Sequence, residues 1–84
     1  MSGRQQQTRI LGIPLQHVTY SNRTDGIGAA GRCEGLRVYA VFRTDGRVRV
    51  TVVRDIRTFD STLADNTETA TQWVRQATNR LASN

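Results

Sequence analysis

The sequence contains no lysine, and cysteine, histidine and proline each occur once, as Cys33, His17 and Pro14. A single cysteine excludes an internal disulfide. With only one histidine and one cysteine, the chain also lacks the ligands of the usual structural zinc sites, which need about four such residues. The 84 residues also lack an apolar run of about 18 residues, so we expect no transmembrane helix. These absences favour a small non-membrane protein without a disulfide scaffold.

All twelve basic residues are arginine, and the formal net charge is +5. Guanidinium groups bind phosphate and carboxylate through paired hydrogen bonds and stack on bases, so an arginine-only set of cations suits nucleic acid. GC-rich coding sequence also favours arginine codons over lysine codons, whatever the protein does. The codon explanation covers the missing lysine, but it does not account for the excess of positive charge.

The length of the chain supports one domain. We expect residues 1–8 to be disordered, because MSGRQQQT is polar and lacks periodicity, and residues 9–84 to form a single α+β domain. A chain of this size buries only about 60 to 65% of its unfolded surface, so its stability should be marginal. The first residues lack the apolar stretch of a signal peptide, and the expected location is therefore cytoplasmic.

The clearest structural signal is an alternating pattern on both sides of Asp45-Gly46, in residues 36–54. A type I turn at residues 44–46, with Gly46 in the left-handed conformation, collects the apolar side chains on one face of the hairpin. A two-residue turn would instead mix apolar and charged groups on both faces, and buried faces set the register. The predicted cross-strand pairs are Phe42–Val48, Ala40–Val50 and Val38–Val52.

The remaining elements follow from periodicity and from residues that break it. We predict a strand at residues 15–21 and a long, mobile loop at 22–35, where four glycines occur without an amphipathic period. The second hairpin strand is expected to run on toward Phe59, and residues 60–65 to lead into a helix at 65–82. Asp65 and Glu68 would cap that helix, whose apolar stripe is Ala70, Trp73, Val74, Ala77 and Leu81.

The predicted fold is therefore α+β: a small two-layer domain in which an antiparallel sheet of two to three strands packs against one C-terminal helix. In this arrangement Trp73 is the largest side chain available to cover the apolar face of the hairpin. We expect it to be a core residue and not a binding residue.

Few residues suggest catalysis or a bound cofactor. Gly26, Gly28 and Gly31 spell G-x-G-x-x-G, but the dinucleotide motif needs a preceding strand and a helix that begins inside it. We interpret the segment as a flexible loop, with a small anion-binding nest as the alternative. Cys33 has no identifiable base nearby, His17 has no acidic neighbour, and the carboxylates fall mostly at turns and caps. We expect a protein that is not an enzyme and that uses no cofactor and no metal.

The outward face of the hairpin is the main functional lead. Like charges that face each other across strands cost stability unless a partner neutralises them, which favours a polyanionic partner. Charges on an exposed sheet face also serve solubility alone. The alternative is an adaptor surface for another protein, centred on Tyr39, Val41 and Val53, or a homodimer joined through a strand edge. The predicted nucleic-acid-binding residues are Arg37, Tyr39, Arg43, Arg47 and Arg49.

Residues 36–82 resemble small sheet-plus-helix DNA-binding domains in their order of elements. A hairpin is followed by a strand ending in Arg57-Thr58-Phe59-Asp60 and then by a capped helix that carries Trp73. The similar families are the arm-binding domain of phage-type tyrosine integrases and the plant AP2 domain. The resemblance implies a three-stranded sheet whose face enters the major groove, with the same five residues reading the DNA. Small size and arginine-rich composition also resemble orphan proteins of phages from GC-rich actinobacteria.

Overall fold

The computed structural model describes residues 8–82, and the disorder expected at the start of the chain falls outside this range except at Thr8, the first residue of a strand. Six antiparallel strands follow one another as a meander, and one helix comes after them. The α+β class and the C-terminal helix are confirmed, whereas the predicted sheet of two to three strands is too small. The elements are β1 (Thr8–Ile10), β2 (Ile13–Arg23), β3 (Gly26–Cys33), β4 (Leu36–Arg43), β5 (Val48–Asp55), β6 (Thr58–Ala64) and α1 (Thr67–Ala82).

The helix covers one face of the sheet, and the core lies between the two layers. The predicted hairpin register is confirmed, since Phe42 faces Val48 and Ala40 faces Val50. Side chains alternate along each strand, so the other set of residues lies on the opposite face, which no described element covers. We call this surface the open face. From β2 to β6 it includes Thr19, Ser21, Gly28, Ala30, Arg32, Arg37, Tyr39, Val41, Arg43, Arg49, Thr51, Val53, Phe59, Ser61 and Leu63.

Strand β3 occupies the segment that was predicted to be a long loop, and that prediction is wrong. The chain turns at residues 24–25 and returns as a strand paired on both sides. Small residues are required here because neighbouring groups come close. A Cβ atom at Gly26 would lie 2.0 Å from the Phe42 carbonyl oxygen, and one at Gly31 would lie 2.8 Å from Leu15 Cβ. The glycines that suggested flexibility therefore permit close packing.

The chain after the hairpin also differs from the prediction. β5 ends at Asp55 instead of running on toward Phe59, and the residues expected to form a connection form β6. Asp55 Oδ1 accepts the main-chain N–H groups of Arg57 and Thr58, at 2.8 and 2.9 Å. This use of an aspartate side chain stabilises a tight turn, and the turn places β6 beside β5 as the last strand of the sheet.

Helix α1 begins at Thr67 and not at Asp65. Its N-cap is Asn66, whose Oδ1 accepts the Thr69 N–H at 2.8 Å, so the Asp65–Glu68 cap expected from the sequence is wrong. The predicted apolar stripe is otherwise present, with Trp73 half-buried against the core. Its fully buried members are Ala70, Val74, Ala77 and Leu81.

The strand predicted at residues 15–21 is part of the longer β2, which includes Pro14. A bulge at His17, where φ is 56°, bends this strand. The β1–β2 turn reaches the helix, because Gly12 lies beside Thr71 and Arg75 of α1. Within the described residues, no helix is long and apolar enough to cross a membrane.

Candidate nucleic-acid interface

Four of the five predicted site residues lie on the open face within strands. Arg37, Tyr39 and Arg43 belong to β4 and Arg49 belongs to β5, with Tyr39 directly opposite Thr51. They share a face because the hairpin register places alternating residues on the same side of the sheet. Arg37 and Arg49 are exposed, and Tyr39 is half-buried. The two charges are thus accessible, while the aromatic side chain lies between them in a partly covered position.

Arg43 is the last residue of β4, Arg47 lies in the turn that follows, and the two differ in their partners. Arg43 Nη2 is 3.1 Å from Asp45 Oδ2, and Asp45 Oδ1 accepts the Arg47 main-chain N–H at 3.0 Å. The Arg43 hydrogen bond and then the Arg47 N–H lower the pKa of Asp45, so this carboxylate stays ionised at neutral pH. The charge of Arg43 is therefore offset within its own turn, whereas the Arg47 guanidinium stays available.

Strand β3 adds an arginine that is not among the five site residues predicted from the sequence. Arg32 lies directly opposite Arg37 on the open face. Across residues 8–82, neither of them forms an ion pair with a carboxylate, and the same holds for Arg47 and Arg49. Unscreened like charges on adjacent strands are unfavourable for the free protein. Arg32 is the one charged residue of β3, and its place on the open face follows from the pairing of that strand with β4, which no local pattern in the sequence reveals.

A shallow groove crosses the open face over β3. Its floor is formed by Gly28 and Ala30, which have little or no side chain and leave room between the neighbouring strands. Thr19 and Ser21 of β2 flank one side, and Tyr39 of β4 flanks the other. The groove therefore has hydroxyl groups on one wall and an aromatic ring on the opposite wall.

The groove leads toward the arginine pair. It contains two depressions of about 230 and 180 Å³, and Tyr39 lines both of them. The larger depression is also lined by Arg32 and Arg37. A ligand lying along β3 would thus contact polar hydroxyl groups, an aromatic ring and two guanidinium groups in succession.

The other residues considered for chemistry lie outside this groove or line only its margin. Cys33 is half-buried, and burial and then the nearby Glu34 raise the pKa of its thiol, which keeps it protonated. His17 is exposed in the β2 bulge, where it borders the larger depression. No group of three His, Cys, Asp or Glu side chains among residues 8–82 is placed to hold a metal ion.

The G-x-G-x-x-G glycines lie inside β3, and the next element is another strand. The context that the dinucleotide motif requires, a helix beginning within it, is therefore missing. The alternative of an anion-binding nest is also wrong, because a nest needs successive N–H groups that converge, whereas those of a strand alternate.

No protein-family model, no curated protein and no solved structure matches this chain. The resemblance to integrase arm-binding and AP2 domains therefore stays a prediction, as does an origin in a phage. In one respect the fold departs from their layout, because the sheet has six strands where those domains have three.

Proposed function

We propose that this protein is a non-enzymatic nucleic-acid-binding module and that single-stranded nucleic acid binds across its open face. The observation that carries the proposal is a set of four arginines without carboxylate partners among the described residues, two of which line the groove floored by glycine and alanine. Guanidinium groups bind phosphates bidentately, and a positively charged groove is the usual feature that follows a single-stranded backbone. The members of this set are Arg32, Arg37, Arg47 and Arg49.

The width of the sheet favours binding of single-stranded nucleic acid over binding of a duplex. Six strands spaced about 4.8 Å apart give a face about 24 Å wide. The major groove of DNA is only about 12 Å wide and admits an α-helix or a two-stranded ribbon. A sheet of this width cannot enter the groove face-on, so the duplex contact implied by the resemblance is less favourable than contact with an unpaired strand.

Tyr39 supplies the second part of the proposed recognition. Bases of a single strand are free to stack on aromatic side chains, and each such contact contributes about 1–3 kcal/mol. Tyr39 lies beside both depressions of the groove and next to Arg37 along the same strand face. The hydroxyl groups of Thr19 and Ser21 on the opposite wall can bond to phosphate or sugar oxygens.

Salt dependence of binding tests the proposal. With four arginines on phosphates, log K against log salt should have a slope of about −2.8 for a single strand, a roughly fiftyfold loss of affinity between 50 and 200 mM salt. Fluorescence anisotropy with a labelled single-stranded oligonucleotide and with its duplex would measure this slope. We expect the single strand to bind more tightly than the duplex.

Substitutions distinguish binding through the open face from binding that depends only on the positive charge of the protein. Arg37→Gln and Arg49→Gln should each weaken binding and reduce the slope by about 0.7. Arg75→Gln removes the same charge from the exposed side of the helix and is the matched control. Failure of the folded protein to bind at 50 mM salt, or an equal loss in the Arg75 control, would contradict the proposal. The adaptor alternative instead expects no oligonucleotide binding and a protein contact around Tyr39, Val41 and Val53.

A further inference from the structure

Apolar side chains are exposed along the last strand of the sheet. Phe59 is 59% exposed and Leu63 is 36% exposed, and both lie on the open face of β6. Ile56, in the turn before β6, is 90% exposed. Edge strands are normally protected by charged side chains, especially lysine, or by proline, a bulge or a covering element. β6 has neither a basic residue nor a proline in its sequence TFDSTLA, and its one charged residue, Asp60, is paired with Arg80 of α1.

The main-chain groups of β6 are arranged to pair outward. The Ser61 N–H donates to Asp60 Oδ1 at 2.9 Å, and the Ser61 and Thr51 hydroxyl oxygens are 2.9 Å apart. Both observations make Thr51–Ser61 a non-hydrogen-bonded pair of the β5–β6 ladder. By alternation, the N–H and C=O groups of Phe59, Ser61 and Leu63 point away from β5. The opposite edge differs, because β2 is covered at one end by β1 and bent by the bulge at His17.

We propose that a second copy of this chain pairs antiparallel along β6, with the twofold axis at Ser61. This register places Phe59 opposite the partner's Leu63, and the reverse contact follows by symmetry. Asp60 then faces the partner's Thr62, so no two carboxylates meet. Moving the axis by one residue to Asp60 would place that carboxylate against the partner's Asp60. The strand is therefore complementary to itself in one register that buries both of its exposed apolar side chains.

The rows of side chains continue across the proposed axis. On the open face, Arg49 and Leu63 of one subunit would lie in line with the partner's Phe59 and the partner's Val53. Ser61 and Thr51 would form the central hydroxyl row with their symmetry mates. The Ser61 N–H already has a partner in Asp60, but the bonds of the flanking Phe59–Leu63 pairs are independent of it. The two open faces become one continuous surface, and the dimer does not depend on nucleic-acid binding.

A cysteine placed on the twofold axis tests the register. In a Cys33→Ser background, Ser61→Cys would face its own copy at a Cα distance of about 5.5 Å, within the range that a disulfide bridges. Thr51→Cys is the matched control, since it lies on the next strand and about 14 Å from its copy. We expect mild oxidation to give covalent dimers with Ser61→Cys and monomers with Thr51→Cys. Equal cross-linking of the two, or none with Ser61→Cys, overturns the proposed register.

Sedimentation equilibrium tests the dimer itself. The contact is at the small end of specific interfaces, so we expect an affinity of about micromolar strength. At about 100 micromolar the protein should sediment at twice the chain mass of 9.4 kDa. Phe59→Asp and Leu63→Asp should restore the chain mass, whereas Tyr20→Asp, at an exposed aromatic residue of β2, should not. A monomeric native protein at this concentration, or dissociation by the Tyr20 variant alone, overturns the proposal.

Discussion

Individual aspartates explain why the open face carries charge of one sign. Asp25 pairs with Arg23 and Asp45 pairs with Arg43, each at the end of a strand. Asp55 accepts main-chain N–H groups in the β5–β6 turn. Short acidic side chains are favoured at such turns because they can bond to nearby main-chain groups. The open-face residues named above consequently include no carboxylate, and Arg32, Arg37 and Arg49 there have no ion-pair partner among the described residues.

At Gly46 the backbone conformation alone should determine how much a substitution destabilises the protein. Its φ is 91°, and no atom lies within 4 Å of the position that a Cβ would take. Gly46→Val should therefore cost about 1–2 kcal/mol, the price of a left-handed conformation for a residue with a Cβ, with no contribution from contacts. Urea denaturation would measure the loss. Gly46→Asn is the control, because asparagine tolerates this conformation and should lose less; equal losses for the two variants would contradict the argument.

At the scale of secondary structure, the sequence predicted the elements whose signal is local. The β4–β5 hairpin was predictable in its register because Val, Phe and Arg alternate on both sides of a recognisable turn. The helix was predictable from its apolar period, although its start at Thr67 was not. β3 was missed because its glycines are required by the approach of β4 and of Leu15, which no local pattern reveals. β6 was missed because the turn before it depends on one side chain, Asp55.

A matched pair of glycines tests whether β3 depends on close approach. A Cβ at Gly26 would meet the main-chain oxygen of Phe42, which cannot move without breaking the strand pairing, and the φ of 155° is itself unfavourable for a residue with a Cβ. Gly26→Ala should therefore cost about 1–3 kcal/mol or more. A Cβ at Gly28 would meet Ser21 Oγ at 2.7 Å, and this hydroxyl can rotate away. Gly28→Ala should therefore stay within about 1 kcal/mol of the native protein. Thermal denaturation would compare them, and a reversed order would show that space does not determine the sequence of β3.

For the whole molecule, three arginines without an ion-pair partner among the described residues, Arg32, Arg37 and Arg49, share the surface that the fold leaves open. Arg37, Tyr39 and Arg49 of this surface were predictable, because they belong to the hairpin whose register the sequence determines. Arg32 and the groove were not predictable, since both arise from the pairing of β3 with strands on either side. A face of unpaired like charges reduces the stability of the free protein. The proposed function accounts for it, because bound phosphates would remove the repulsion.

The Arg32–Arg37 pair allows the loss of stability caused by this repulsion to be measured. If the two guanidinium groups repel each other across β3 and β4, Arg37→Gln should stabilise the free protein by roughly 0.2–1 kcal/mol at low salt while weakening oligonucleotide binding. Arg32→Gln should do the same. The double variant should gain little stability beyond either single change, because each removes the same repulsion.

Denaturation at 20 mM and at 500 mM salt would distinguish this repulsion from other effects of the substitutions, since salt screens the repulsion and should remove the gain in stability. Arg75→Gln, which removes a charge from the helix side, should change neither stability nor affinity by a comparable amount. Additive gains that persist at high salt would mean that glutamine is simply better tolerated in these strands, and the open face would then carry no electrostatic strain for a polyanion to relieve.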